Sequence, residues 1–458
     1  MSASPLNTSA ASVSVLLQEL FPLCRSLTGP GNRETLARLQ RLIPLTVHEY
    51  PSGTQVYDWV IPKEWKPKAG SVKGPDGRVL IDFAENNLHL VGYSAPVAGQ
   101  FSLEELRPHL HWLDNAPEAI PYRTSYYKED WGFCLSRKQF EERFAPYGPE
   151  ARFTVTIDTA LEAGSLSVGE LLIPGETSQE VLLSTYFCHP SLANDNLSGV
   201  VLTAFLAKEL LARKNKYSYR IVFVPETIGA VAYCAHNEAA MQALDCGFVI
   251  TCVAGRGPWG FKGSIHGEHR INRVVETVLR EFEQPVLRYP FDPHGSDERQ
   301  YSSPGFRINT ASITKDKYYE YPEYHTSLDT LDFISPEHLC TTLRMHLRAL
   351  ELLEDDVFYE NVNPQCETML SPRGLYPSAG GGMMPGTNTG AQLDSILWLL
   401  MLCDGATALP EIAKQANLSL QELRDMAAFL EGKGLLRKCA FPHVKKNNAL
   451  AAGRYEHK

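Results

Sequence analysis

Apolar positions recur every three or four residues near the start of the chain, at Val13, Leu16, Leu17 and Leu20 and again at Leu36, Leu39 and Ile43, on either side of the turn-rich stretch RSLTGPGNR. That period predicts two helices joined by a loop. Between about residues 45 and 160 the texture changes to short β-prone pieces (QVYDWVIP, VLIDFA, LHLVGYS, ARFTVTI) parted by Pro, Gly and Asn, with one helical stretch at SLEELRPHL. A small β-rich domain is expected there. From about 165 to 350, short β-branched apolar runs (EVLLSTYF, YRIVFVP, GFVITCV, FRINTASIT) alternate with amphipathic stretches such as GVVLTAFLAKELLARK and NRVVETVLREFE. Continuously apolar strands separated by helices predict an α/β fold: a mostly parallel or mixed sheet with helices on both faces. Chemistry in such sheets gathers at the carboxyl ends of the strands. Residues 371–390, SPRGLYPSAGGGMMPGTNTG, read as a linker; LDSILWLLML, LPEIAKQA and SLQELRDMAAFLEGKG, followed by LLRKCAF, then form the pattern of a winged helix over 391–458.

The chain has 458 residues, enough for about three units with their own cores. Apolar residues make up 44% and charged residues 21%, and no apolar run approaches the roughly 20 residues of a membrane span, so a soluble protein is expected. The opening MSASPLNTSAASVSVLLQELF lacks a basic region ahead of its apolar segment; it reads as a helix start, not a secretory signal, and a cytoplasmic location follows. Ten cysteines without a CxxC pair suit reduced, structural thiols. The net charge of −10 disfavours nonspecific nucleic-acid binding by the whole chain. In the candidate recognition helix, residues 419–433, Glu422, Asp425 and Glu431 stand against Arg424 and Lys433 in charge, three acids to two bases and so a net −1, although Lys445 and Lys446 lie beyond the wing. The expected role of that unit is therefore docking to a protein partner or homo-oligomerisation, not DNA readout.

Ionisable residues collect where the strands of the central region end. His189 and Asp195 follow LLSTYF, Glu226 follows IVFVP, and His325 lies in KDKYYEYPEYHTSLDT after the last strand. Imidazole and carboxylate together are the ligand set of a hydrolytic zinc site, which keeps one position open for water. Taken singly, each residue has a plainer reading. Asp195 would cap the helix starting near Ser198 with Asn194 and Asn196 as turn formers, Glu226 would face a helix macrodipole, and His325 would be a satisfied core histidine. Cys188 beside His189 reads as an inert core thiol. Four such residues at consecutive strand ends shift the balance toward a metal site.

The segments HPSLANDNLSG, PETIGA, GSDERQYSSPGF and YHTSLDTLDFI together resemble the co-catalytic zinc aminopeptidase superfamily over roughly residues 165–350. The pieces LFPLCRSLTG, DWVIPKEW, NNLHLVGYSAP and IPYRTSYYKEDWGFCLS extend the resemblance to a bacterial aminopeptidase-like subgroup with an inserted β domain and an appended winged helix. It implies an α/β catalytic domain from residues 1–44 and 161–370, with 45–160 inserted. It also implies Asp195 as a carboxylate bridging two metals, His189 as a ligand of the first and His325 of the second. Two departures change that set. The superfamily has two adjacent acids where this chain has Pro225-Glu226-Thr227, so Glu226 is either ligand or general base, with the ligand role favoured. After VITCV the expected acid is missing, because Ala254-Gly255-Arg256-Gly257 stand there. One zinc on Asp195, Glu226 and His325 is the expected state, as in the related glutaminyl cyclases, with Arg256 as a candidate for holding a substrate carboxylate. Asp297 in GSDERQ is a further candidate to orient a ligand, bind a substrate amine or act as base.

The implied activity is zinc-dependent hydrolysis of an amide next to a free amine, in a small peptide or an aminoacylated metabolite. The alternatives are a glutaminyl-cyclase-like transferase and a catalytically degenerate, ligand-binding regulatory protein acting through its winged helix. The aromatic-rich IPYRTSYYKEDWGF of the inserted domain is expected to overhang the site and admit only small ligands.

Overall fold

A computed structural model of the protein describes residues 7–148, 150–376 and 389–439. The described chain divides into two compact units, one of residues 7–175 and 180–349 and the other of residues 176–179 and 350–439.

The first unit is built on an eight-stranded sheet. In chain order its strands are β1 (Thr46–Pro51), β2 (Ser165–Ile173), β3 (Glu180–Tyr186), β4 (Ser218–Val224), β5 (Cys246–Val249), β6 (Trp259–Lys262), β7 (Val286–Tyr289) and β8 (Asn309–Lys315). They lie side by side as β1-β2-β4-β3-β5-β8-β6-β7. The four central strands β4, β3, β5 and β8 are parallel, and the flanks join through antiparallel pairs, β2 against β4 and β6 against β8. The sheet is thus mixed at its edges and parallel where the ionisable residues follow. The chemistry of the strands explains this. All seven residues of β8 are buried, as are all but the first of β3 and of β4, so their hydrophobic surface needs cover on both faces. Parallel neighbours also require crossover connections, supplied here by helices such as Gly199–Leu211 after β3 and Ile228–His236 after β4.

A second, four-stranded antiparallel sheet lies between β1 and β2 in sequence, in the order Val79–Asp82, Glu64–Lys73, Arg152–Glu162, Val97–Ser102. Along Arg152–Glu162, Phe153, Val155 and Ile157 are buried and their neighbours exposed, the period of two that marks a half-covered strand. The insertion begins later than its expected start at 45, because Thr46–Pro51 is the edge strand of the main sheet, paired in antiparallel register with β2 from Thr46↔Glu170 to Pro51↔Ser165. Alternation identifies a strand but not the sheet that receives it. The inserted sheet also shares one continuous core with the main sheet, in which Trp65, Phe133 and Phe153 belong to the same cluster as Val222, Val224 and Ile228.

The second unit is a winged helix. Helices Thr389–Leu402, Leu409–Ala416 and Leu420–Gly432 accompany a three-stranded antiparallel sheet whose middle strand, Phe358–Asn361, lies between Asp404–Ala408 and Leu436–Cys439. Leu399, Leu409, Ile412, Leu423, Ala427 and Leu430 form its core. The unit therefore takes its central strand from upstream of the expected 371–390 linker. The expected boundary at 370 misses this strand because four residues of sequence do not reveal partners more than forty positions away. Most of the expected linker, residues 377–388, lies outside the described residues, as do Lys445 and Lys446. Among the described residues, no helix is long and apolar enough to cross a membrane.

Candidate active site

The polar residues of ANDNLSG hold together the loops that follow three central strands. Asn196 donates from Nδ2 to the Tyr186 carbonyl (2.9 Å) at the end of β3 and accepts from the Cys252 amide (3.2 Å) after β5. Asn194 donates from Nδ2 to the Lys315 carbonyl (3.1 Å) at the end of β8 and accepts from the Ala254 amide (3.0 Å). Ser198 donates from Oγ to the Asn194 carbonyl (2.7 Å) and accepts from the Val253 amide (3.0 Å). These bonds satisfy buried backbone groups that strand ends would otherwise leave unpaired. Gly199 completes the motif for a steric reason: a Cβ there would lie 2.3 Å from Asn196 Oδ1 and 2.5 Å from the Ile250 carbonyl. Asp195 is thus not a helix cap, and the helix that follows has no side-chain cap.

Asp195 is fully buried, and its backbone is fixed by a second acid: Asp329 accepts the Asn194 amide (2.7 Å) on one oxygen and the Asp195 amide (2.9 Å) on the other, while Tyr321 donates to it (3.1 Å). The Tyr186 hydroxyl donates to Asp195 Oδ1. The other oxygen, Oδ2, lies 2.8 Å from His325 Nε2 and 3.8 Å from His189 Nε2. Ligand atoms of His189, Asp195 and His325 all fall within 4.8 Å of one another. Burial lowers His189 from 6.5 to about 4 despite the attraction of Asp195. Burial alone would raise Asp195, but His189 and His325, with the Tyr186 hydroxyl, hold it at about 2. A neutral imidazole beside an ionised carboxylate is the protonation pattern a metal requires. Despite their approach, Asp195 Oδ2 and His325 Nε2 are both buried without a hydrogen-bond partner. Two orphaned donor atoms at one point, with neutral and anionic ligands in place, fit a divalent cation of the zinc type.

Glu226 stands across from this triad, with Oε2 3.9 Å from His189 Nε2 and its side chain 26% exposed. Burial, followed by the Asp297 and Asp195 carboxylates, pushes its pKa well above the usual range. Two groups have metal-sized spacing, His189 with Asp195 and His325, and His189 with Cys188 and Glu226, so His189, which the single-zinc expectation left out, belongs to both. Asp297 is fully buried behind Glu226, accepting the Thr227 amide (2.7 Å), and burial raises it to about 7. Asp297, singled out in the sequence, thus stands next to Glu226 in space although it comes from another loop. Arg256 is exposed, donates to the Asp332 carbonyl and does not line the cavity, which leaves its expected contact with substrate unsupported. Where an acid was expected after β5, the buried Cys252 thiol approaches Asp195 Oδ1 at 3.8 Å.

The site opens into a cavity of about 580 Å³. The inserted domain forms one wall through Tyr122, Tyr126 and Tyr127, from the aromatic stretch singled out in the sequence, and through Trp59. Tyr122 donates its amide to the His325 carbonyl (2.8 Å) and packs its ring 5.0 Å from His189 and 5.1 Å from His325. Arg299 and Gln300 line another wall; sequence reasoning passed over both, although GSDERQ contained them.

Comparison with known proteins agrees with this architecture. A family described as a domain of unknown function (DUF4910) matches residues 14–356, and a winged helix-turn-helix family matches residues 357–438. A Clostridium acetobutylicum protein named "Putative polysaccharide biosynthesis protein with aminopeptidase-like domain" is 41% identical over 422 residues, covering 92% of this chain and 95% of its own. The crystal structure of a putative peptidase from the same organism superposes with a TM-score of 0.77 at 39% identity, covering 94% of this chain and 96% of the other. The zinc aminopeptidase BSAP of Bacillus subtilis shares the fold at a TM-score of 0.54 and 13% identity, over 76% of this chain and 96% of that one.

Proposed function

Since the chain belongs to the family described as a domain of unknown function (DUF4910) and has the fold of zinc aminopeptidases, we propose that it hydrolyses an amide bond in a small aminoacylated or peptidyl compound, with one zinc held by His189, Asp195 and His325. The observation that carries this reading is the pair of orphaned buried atoms, Asp195 Oδ2 and His325 Nε2, facing each other beside a neutral His189. Zinc, when bound, supplies a Lewis acid next to the amide carbonyl. Among the described residues Glu226 is the carboxylate that lines the cavity, and its place beside His189 suits a group that accepts a proton from water and passes it to the departing amine. Asp297, which raises Glu226 without reaching the cavity, is a positioning residue. Tyr186 and Asp329 hold Asp195 in place as outer partners of a ligand.

A cavity of about 580 Å³ suits a small molecule, not a folded protein. The naming of the Clostridium relative as a polysaccharide biosynthesis protein favours an aminoacylated sugar precursor as the substrate class. Trp59 (39% exposed) and Tyr127 (53% exposed), edge to face at 5.7 Å, offer apolar ring surface at the cavity for the hydrophobic face of such a ring.

Elemental analysis of the purified protein tests the reading. About one zinc per chain is expected, lost in both Asp195→Ala and His325→Ala, together with cleavage of aminoacyl p-nitroanilides by the wild type. Absence of zinc from the wild type would sink the proposal, and two ions per chain would overturn the single-metal triad.

A further inference from the structure

The cavity contains one arginine that the proposed chemistry does not use. Arg299 lies in the short helix Glu298–Tyr301, and its base is held firmly: Asp297 accepts the Thr227 amide (2.7 Å), and Glu298 accepts from Lys262 Nζ (2.5 Å) and the Tyr318 hydroxyl (2.6 Å). Arg299 is exposed and lines the cavity; its guanidinium donates to the Thr227 hydroxyl at 3.5 Å and exerts a weak electrostatic pull on Glu226 and Asp297. No carboxylate forms an ion pair with it among the described residues. An arginine on a firmly held base, with no ion-pair partner among the described residues, in the wall of a small cavity is available to take an oxyanion in two parallel hydrogen bonds.

Its position indicates which part of the substrate carries that anion. Arg299 bonds the neighbour of Glu226 and is close enough to act on its carboxylate, so in the proposed chemistry the fragment that takes the proton from Glu226, the departing amine, is the part of the substrate within its reach. We infer that Arg299 reads an anionic group, a carboxylate or phosphate, on the amine-side fragment of the substrate, so that the enzyme acts on acidic amides in preference to neutral ones. This rests on the hydrolase reading above. Arg299 would then be a specificity determinant: a neutral substrate leaves the guanidinium without its partner, and the difference appears in KM more than in kcat.

Two matched pairs test the inference on zinc-loaded, full-length protein: alanyl-alanine against alanyl-alaninamide, and N-alanyl-glucosamine 6-phosphate against N-alanyl-glucosamine. The wild type is expected to favour the anionic member of at least one pair by tenfold or more in kcat/KM, and whichever pair shows the larger ratio identifies the anion as carboxylate or phosphate. In Arg299→Gln that ratio is expected to fall to near one, mainly through KM, and Arg299→Lys to keep an intermediate ratio. Equal rates within both pairs in the wild type, or a ratio that survives in Arg299→Gln while both members slow together, would overturn the inference; the second outcome would mean that Arg299 only tunes Glu226. If no member is cleaved, the hydrolase reading fails separately, and titration calorimetry of the same pairs decides for Arg299. Tenfold tighter binding of an anionic member, lost in Arg299→Gln, supports it, and equal affinities refute it.

Discussion

Arg25 is the most unusual buried group near the site, and replacing it with methionine separates two competing effects. The side chain is 1% exposed, donates from Nε to the His189 carbonyl (3.0 Å) and from Nη1 to the Leu20 carbonyl (2.5 Å), and leaves Nη2 without a partner. No carboxylate pairs with it among the described residues. Burial lowers it from 12.5 to about 10, so holding the charge there costs about 3 kcal/mol at 1.36 kcal/mol per decade. Arg25→Met relieves that cost but strands two buried carbonyls, at about 1–3 kcal/mol each, or about 4 kcal/mol together. The two nearly cancel. Thermal unfolding of the metal-free protein should therefore show a net loss of about 1 kcal/mol, a Tm shift of no more than about 4 °C. Zinc affinity should respond more strongly, because the backbone carrying His189 loses its anchor; outer partners of metal ligands are typically worth about 10–100-fold. Chelator competition measures this directly. Zinc affinity unchanged within twofold would refute the positioning role, and a stability loss above about 4 kcal/mol would show that the buried cation holds the fold, contrary to the ledger above.

Glu226→Gln should lower hydrolysis by about 10²–10⁴-fold while zinc content stays at the wild-type level, if zinc sits on His189, Asp195 and His325 as proposed; loss of the metal would instead make Glu226 a ligand through its own group with His189 and Cys188. Gly199→Ala should destabilise the protein by at least about 2 kcal/mol and release zinc, because its Cβ has no room against Ile250 and Asn196, and urea unfolding with zinc analysis checks both. Buried His346, bonded through Nδ1 to the Thr342 carbonyl (2.8 Å), is lowered by burial from 6.5 to about 4. Its folded pKa is depressed, so the unfolded chain takes the proton first; its share of stability is complete above pH 6.5 and about 3 kcal/mol of it is lost as pH falls to 4. Urea unfolding across that window should show a shallower decline in His346→Asn, and a slope equal to that of the wild type would count against the assignment.

How much of this was legible in the sequence varies from residue to residue. The alternation of apolar runs with amphipathic stretches was enough for the α/β layering and the winged helix, because burial on two faces, one face or one stripe leaves its own period in the chain. His189, Asp195, Glu226 and His325 were found because each lies where a strand ends, a position that can be read along one dimension. The order of the strands could not, and that order decided which atoms meet. His189 came to stand between two carboxylates, 3.8 Å from Asp195 and 3.9 Å from Glu226, and Arg256 stayed away from the cavity while Arg299 entered it. The same limit hid β1's place at the edge of the main sheet and the strand Phe358–Asn361 at the centre of the winged unit. Local periodicity is set by which face of a segment meets water, whereas a site is set by side chains that approach across a hundred or more residues of chain, as Asp329 does to Asp195. The residue types and their placement at strand ends were therefore properties of the sequence; which of those side chains approach one another, and which arginine enters the wall of the cavity, were decided only when the chain closed on itself.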